Sequence, residues 1–225
     1  MPSGARQLPL DLGHRPGQSR DHFVGSEENA AALSLIDNWP RWAAPLALLV
    51  GPAGSGKSHL LSIFCEEAEA TDAAADYQGA IDAAERGQAI ILDDADGMPL
   101  DQVALFHLIN AVRSGGATLL MTARLLPAAW TVTLPDLISR LKTAAVVQIG
   151  EPGDMLLNAV VTKLFADRQI EIEPHVVQFI TRRIERSLAT AMSVVADIDR
   201  AALEQRRPIT RTLVSEVLAA SGRAS

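Results

Sequence analysis

The residue types that could do chemistry cluster at Gly51, Pro52, Ala53, Gly54, Ser55, Gly56, Lys57 and Ser58. They read G-x-x-x-x-G-K-[ST], with the apolar run LALLV at 46–50 before them and a helical pattern after them. Glycines let the backbone turn its N–H groups inward around phosphate oxygens, and the positive end of the following helix faces the same anion. Lys57 would reach β- and γ-phosphates, and the Ser58 hydroxyl would ligate Mg²⁺. The spacing therefore predicts a site for a nucleoside phosphate. A second cluster closes the stretch 88–94, QAIILDD, an apolar strand that ends in two carboxylates. At the C-terminal edge of a sheet, Asp93 is the candidate metal partner, directly or through water, and Asp94 the group that orients or activates an attacking water. The apolar run 117–122 ends in Thr122, a short polar residue placed to face the γ-phosphate region beside the Asp93 strand.

Four apolar runs, at 46–50, 88–94, 117–122 and 144–149, alternate with helical patterns, which means a parallel, doubly wound α/β sheet. In 99–113 the helical spacing is carried by Val103, Leu105, Phe106, Leu108, Ile109 and Val112, with His107 read as a packed or half-exposed helix residue. Ser26 or Asn29 is placed to cap an Ala-rich helix that ends near Asn38, and Trp39 and Trp42 should wedge between helix and sheet. The Ala/Asp stretch 71–75 reads as a loop. Arg140 sits in a short helix, 134–141, between the last two strands. An arginine there can project toward a neighbouring subunit's γ-phosphate, or be a surface residue in a weak ion pair; the residues alone leave both open. Beyond 151–153 the strands stop, and helices are expected at 154–168, 174–184, 188–205 and 210–220. Such a bundle on a phosphate-loop domain acts as a lid. The organisation expected is a tail at 1–20, a nucleotide-binding α/β domain at 21–150 and a helical lid at 151–225.

Composition narrows the field of functions. The chain has 225 residues, 48% of them hydrophobic, with a net charge of −7. That charge disfavours a large phosphate-backbone footprint, and little direct DNA binding is expected. A lone cysteine, Cys65, reads as a small core residue in a reducing compartment. No stretch approaches the roughly 18 apolar residues of a membrane span, and no secretory h-region opens the chain, so a cytoplasmic protein without a membrane role is expected. In the breaker-rich tail, Gln7, Leu8, Leu10 and Leu12 form one organised segment, QLPLDL. Leucines without a core of their own should either dock extended in a partner's groove or fold back on their own domain.

The order of phosphate loop, LDD strand, Thr-ended strand, SRL arginine and four-helix lid resembles the AAA+ module of the DnaA family of replication initiators. It is more closely similar to the shorter Hda/HdaA-type regulators. Its most specific matches are FVGSEEN near the start, LFHLIN, LPDLISRL and the N-terminal QLPLDL. The resemblance implies an AAA+ P-loop NTPase with a C-terminal helical lid, holding ADP or ATP with Mg²⁺. It implies that 51–59, His59 included, surround the phosphates and that Phe23, Val24 and Asn29 lie near the adenine. It also implies that Arg140 is an arginine finger, and that Gln7, Leu8, Leu10 and Leu12 dock on the DNA polymerase III sliding clamp. The implied function is a negative regulator of initiation that stimulates ATP hydrolysis by DnaA, with self-association through the same arginine face left open. Two departures put intrinsic hydrolysis in doubt. Ala123-Arg124 stands where an acidic residue usually follows the strand-end Thr, and Ala189 stands at the lid's expected arginine, with Arg186 one turn away. Two other readings are an autonomous AAA+ ATPase acting on a replication protein and a module that sequesters initiator or clamp without chemistry.

Overall fold

The computed structural model describes residues 19–97 and 100–222. Its centre is a five-stranded, wholly parallel sheet in the order β2-β3-β4-β1-β5. The strands are β1 (Leu46–Val50), β2 (Thr71–Asp72), β3 (Ile90–Leu92), β4 (Leu119–Ala123) and β5 (Ala145–Gln148). Between them run α1 (Ala30–Asp37), α2 (Lys57–Ala68), α3 (Tyr77–Glu85), α4 (Gln102–Gly115) and α5 (Pro135–Leu141). Because β1 is buried along its whole length, its alternating side chains build two cores. Leu46, Leu48 and Val50 join the layer under α3, α4 and α5, while Ala47 and Leu49 join the layer under α1 and α2. The expected doubly wound α/β class is what forms.

The second layer is held by aromatic packing. Phe64 of α2 is fully buried, stacks on Trp42 at 5.1 Å and meets Trp39 edge-on at 5.7 Å. Both indoles also donate hydrogen bonds, Trp39 Nε1 to Thr118 Oγ1 and Trp42 Nε1 to the Leu35 carbonyl. The tryptophans thus pin the connection between α1 and β1 onto the helix that follows the phosphate loop.

Beyond β5 the chain is helical: α6 (Asp154–Ala166), α7 (Pro174–Thr181), α8 (Leu188–Gln205) and α9 (Arg211–Ala220). These four helices bury a core of their own around Phe165, Val177, Ile180, Val194, Ile198 and Leu218. Side-chain oxygens of Ser187 and Thr210 accept backbone N–H groups at the starts of α8 and α9.

Two expectations about elements need correction, and one helix stands where none was expected. The stretch 71–75 is not all loop, because Thr71–Asp72 pairs with Ile90 and Ile91 as an edge strand. The helix Tyr77–Glu85 was not anticipated, since its buried face is Ala80, Ala83 and Ala84, too small to stand out as an apolar stripe. Val103, counted with the buried face of its helix, lies one residue inside the N-terminus of α4 and is exposed. Among the described residues no helix is long and apolar enough to cross a membrane.

Candidate functional site

The phosphate loop leaves β1 at Gly51 and enters α2 at Lys57. Gly54 and Gly56 take φ of +73° and +100°, the left-handed region that only glycine enters without strain. A Cβ at Gly51 would lie 2.6 Å from the Ile149 carbonyl oxygen, so the loop's root has no room for a side chain. Lys57 is buried and donates to the carbonyls of Gly51 and Pro52, both at 2.8 Å. Its pKa is lowered, chiefly because burial penalises the charged ammonium, with the nearby Arg124 charge adding to the effect. The Ser55 hydroxyl is buried without a hydrogen-bond partner, and Ser58 is exposed at the first turn of α2. Tight backbone curvature, a buried ammonium and an unpartnered hydroxyl fit a bound phosphate chain.

The carboxylates follow β3. Thr122 is fully buried at the end of β4 and donates its hydroxyl to Asp93 Oδ1. The same hydroxyl oxygen accepts the Asp94 N–H at 2.9 Å. Thr122 is therefore an orienter of the Asp93–Asp94 turn. Asp93 and Asp94 are both exposed at the sheet's C-terminal edge, as a metal carboxylate and its neighbour need to be. Asp94 adopts φ of +52° and forms an ion pair with Arg124 at 3.5 Å. Ser58, Asp93 and water could hold Mg²⁺ against a phosphate, the usual sparse protein contribution for that ion.

On the other side of α2 lies a cavity of about 610 Å³, lined in part by Phe23, Val24, His59, Lys163, Leu188 and Met192. Phe23 meets the His59 ring edge-on at 5.2 Å. Asn29 does not line this cavity. It is buried, accepts the Ser26 N–H and donates to the Val24 carbonyl, so it holds the loop that presents Phe23 and Val24. Nor does its side chain cap α1, although it occupies the N-cap position.

Two of the contacts that tie the lid to this site are hydrogen bonds that the sequence pattern did not signal. The Leu188 N–H donates to the Gly54 carbonyl at 2.8 Å. Glu28 accepts the Gly153 N–H at 3.2 Å, joining the segment before α1 to the linker that enters the lid. Ser187 as the N-cap of a helix starting at Leu188 was the available clue, but a cap does not reveal what its helix end touches. Arg186, the alternative to the missing lid arginine, instead pairs with Asp154 at the start of α6, at 2.8 Å. Ala189 is exposed.

Arg140 stands apart from the phosphate loop. It lies in the last turn of α5, anchored by the buried Leu137 and Leu141. Its guanidinium makes no hydrogen bond or ion pair among the described residues. Gln7, Leu8, Leu10 and Leu12 lie outside the described residues.

The His59 environment carries a pH dependence. Nε2 lies 3.0 Å from the Ser19 carbonyl oxygen, and burial is the main cause holding the imidazole pKa below its ordinary 6.5. Between the lowered folded pKa and the ordinary unfolded one, the unfolded chain binds more protons, so stability falls as pH drops below about 6.5. Lowering the pH from about 7.5 to about 5.5 should therefore lower the melting temperature, and His59→Gln should remove part of that loss. An unchanged pH slope in the variant would show that His59 is not a source of it.

A parallel sheet of this order, a phosphate loop after β1, carboxylates after β3 and a four-helix lid make an AAA+ P-loop module. Domain III of the Thermotoga maritima initiator DnaA is similar in structure, with a TM-score of 0.75 at 17% identity, over 91% of this chain and 96% of that one. AMPPCP-bound DnaA from Aquifex aeolicus gives 0.68 at 17% identity, over 84% and 67% of the two chains. The Thermotoga maritima Holliday junction branch migration motor RuvB gives 0.69 at 18% identity, over 90% and 72%. By sequence, an uncharacterised Haemophilus influenzae protein is 27% identical over 227 residues, covering 95% of this chain and 98% of its own. Residues 159–218 match the model of the Hda lid domain. Residues 159–218 are thus similar to an Hda lid domain, and the fold as a whole is the one that the DnaA and RuvB structures share.

Proposed function

We propose that this protein is a nucleotide-bound adaptor that turns replication initiation down. In this reading ADP or ATP lies with its phosphates on 51–58 and its base in the cavity beside Phe23, Val24 and His59, with Mg²⁺ between Ser58, Asp93 and phosphate. The tail residues Gln7, Leu8, Leu10 and Leu12 engage the sliding clamp, the beta subunit of DNA polymerase III, in extended form. Arg140 is presented to ATP held by the initiator DnaA and completes a composite site for hydrolysis. The observation that supports this most is the unengaged Arg140 guanidinium on a short, well-anchored helix of an Hda- and DnaA-related fold.

The chain's own catalysis is expected to be weak, because Asp94 is paired with Arg124 and the lid offers no arginine at Ala189. That pairing disfavours an autonomous ATPase. The test is the rate of ATP hydrolysis by the cognate initiator, with and without this protein, in the presence of clamp loaded on DNA. The adaptor reading predicts stimulation that requires the clamp. Clamp binding without any stimulation would overturn it and leave a sequestering module.

A further inference from the structure

Residues 8–12 carry three leucines with no core of their own, and the chain that bears them joins the described structure at the wall of a cavity. Ser19 is the first described residue. Its carbonyl oxygen lies 3.0 Å from Nε2 of His59, and Nε2 of His22 lies 3.8 Å from Asp167 Oδ2. His22, His59 and Asp167 all line the cavity of about 610 Å³ beside α2. Arg20, between Ser19 and His22, forms ion pairs with Asp37 of α1 and Glu67 of α2. The chain before Ser19 therefore starts from a fixed place at this cavity.

The cavity suits leucines as well as a base. Its walls include Phe23 of the entry segment, Val160 and Leu164 of α6, and Leu188 and Met192 of α8. Phe23, Leu164 and Leu188 are only partly buried by the cores they pack on, and Met192 is exposed. Apolar surface of this kind is stabilised by any apolar cover, and methionine adapts to covers of different shape. Leu12 stands seven residues before Ser19, a reach of up to about 25 Å, more than the diameter of a sphere of the cavity's volume. Gly13, Pro16 and Gly17 between them are residues that turns favour, so the sequence allows the chain to reverse toward the cavity.

We propose that Leu8, Leu10 and Leu12 occupy this cavity whenever a nucleotide base does not, so that the tail and the nucleotide compete for one site and nucleotide binding releases the tail. The inference rests on the placing of the base beside Phe23, Val24 and His59 in the reading above, and it is independent of Arg140. The leucines proposed to engage the clamp are then withheld from it until a nucleotide is bound. Linkage makes the effect reciprocal: the factor by which the tail weakens nucleotide binding is the factor by which saturating nucleotide strengthens clamp binding. A tethered segment at an effective concentration on the order of 1 mM, with an affinity of about 0.1 mM, weakens its competitor roughly tenfold.

Calorimetric titration of the full chain with ADP and Mg²⁺ tests this. The combined substitution Leu8→Ser, Leu10→Ser and Leu12→Ser should tighten ADP roughly tenfold. A peptide of residues 1–18 added to that variant should raise the apparent Kd again, doubling it near about 0.1 mM, whereas the same peptide carrying the three serines should not. Equal ADP affinity in the wild-type chain and the variant, or a wild-type peptide without effect at about 1 mM, would each overturn the proposal. A wild-type Kd for ADP that rises with chain concentration would assign the cavity to the tail of a second copy and overturn the proposal as stated. Absence of ADP binding by both chains would overturn it together with the nucleotide-binding reading. Clamp binding that ignores the three serines, with the tenfold gain in ADP affinity intact, would overturn the adaptor reading alone.

Discussion

Arg140→Ala is expected to reduce the stimulated hydrolysis of initiator-bound ATP by roughly 10³-fold or more, to the unstimulated rate, while leaving the protein folded and clamp-bound. The magnitude follows from chemistry in trans: a guanidinium that neutralises charge developing on a transferring γ-phosphate acts only in the transition state, so its loss falls on the rate. The preserved fold follows from location. Leu137 and Leu141 hold α5 in the core, whereas the Arg140 guanidinium makes no hydrogen bond or ion pair among the described residues, so truncating it should change stability by no more than about 0.5 kcal/mol. Arg140→Lys should fail nearly as badly, because an ammonium lacks the planar fork that meets two phosphate oxygens. Single-turnover hydrolysis of labelled ATP preloaded on the initiator, with clamp on DNA, is the measurement. Undiminished stimulation by Arg140→Ala would mean that another group completes the site.

Phe64→Ala is expected to cost roughly 3–5 kcal/mol and to lower the melting temperature by about 10 °C. Phe64 is fully buried between two tryptophans and the sheet, so truncation loses both transfer free energy and the contacts of a cavity that Trp39 and Trp42 cannot fill. Both indoles are tethered by hydrogen bonds to Thr118 and Leu35, which limits collapse into the void. Because α2 also begins at Lys57, the lost packing should loosen the phosphate loop as well. Thermal unfolding followed by tryptophan emission reads the effect directly, since Trp39 and Trp42 are two of the chain's three tryptophans. A loss below about 1 kcal/mol would show that the layer repacks and that Phe64 is not its keystone.

The site was legible where chemistry imposes residue type at fixed spacing. Gly51 to Ser58, Asp93 and Thr122 could be read because a phosphate loop and a strand-end carboxylate tolerate few substitutes, and the sheet then brings them to one edge. Elements escaped notice where burial uses small side chains or few residues. The Tyr77–Glu85 helix buries alanines, and Thr71–Asp72 is too short to show alternation. Partnerships between distant residues escaped for a different reason. Whether Arg186 reached the nucleotide or Asp154, and whether Asn29 faced a ligand or its own loop, depended on where separate elements meet. No periodicity encodes that. The Arg124–Asp94 pair belongs to the same category.

The hydrogen bond from Leu188 to Gly54 joins the first residue of a lid helix to the middle of the phosphate loop. Two sites that share a contact of this kind exchange free energy in both directions, and by the same amount. A phosphate that displaced Gly54 would strain or release this hydrogen bond, and a partner that displaced Leu188 would act on Gly54 through the same bond. In the proposed reading, a protein bound to α8 that moved Leu188 would alter nucleotide affinity without touching the nucleotide, and the nucleotide would alter that protein's affinity by the same factor.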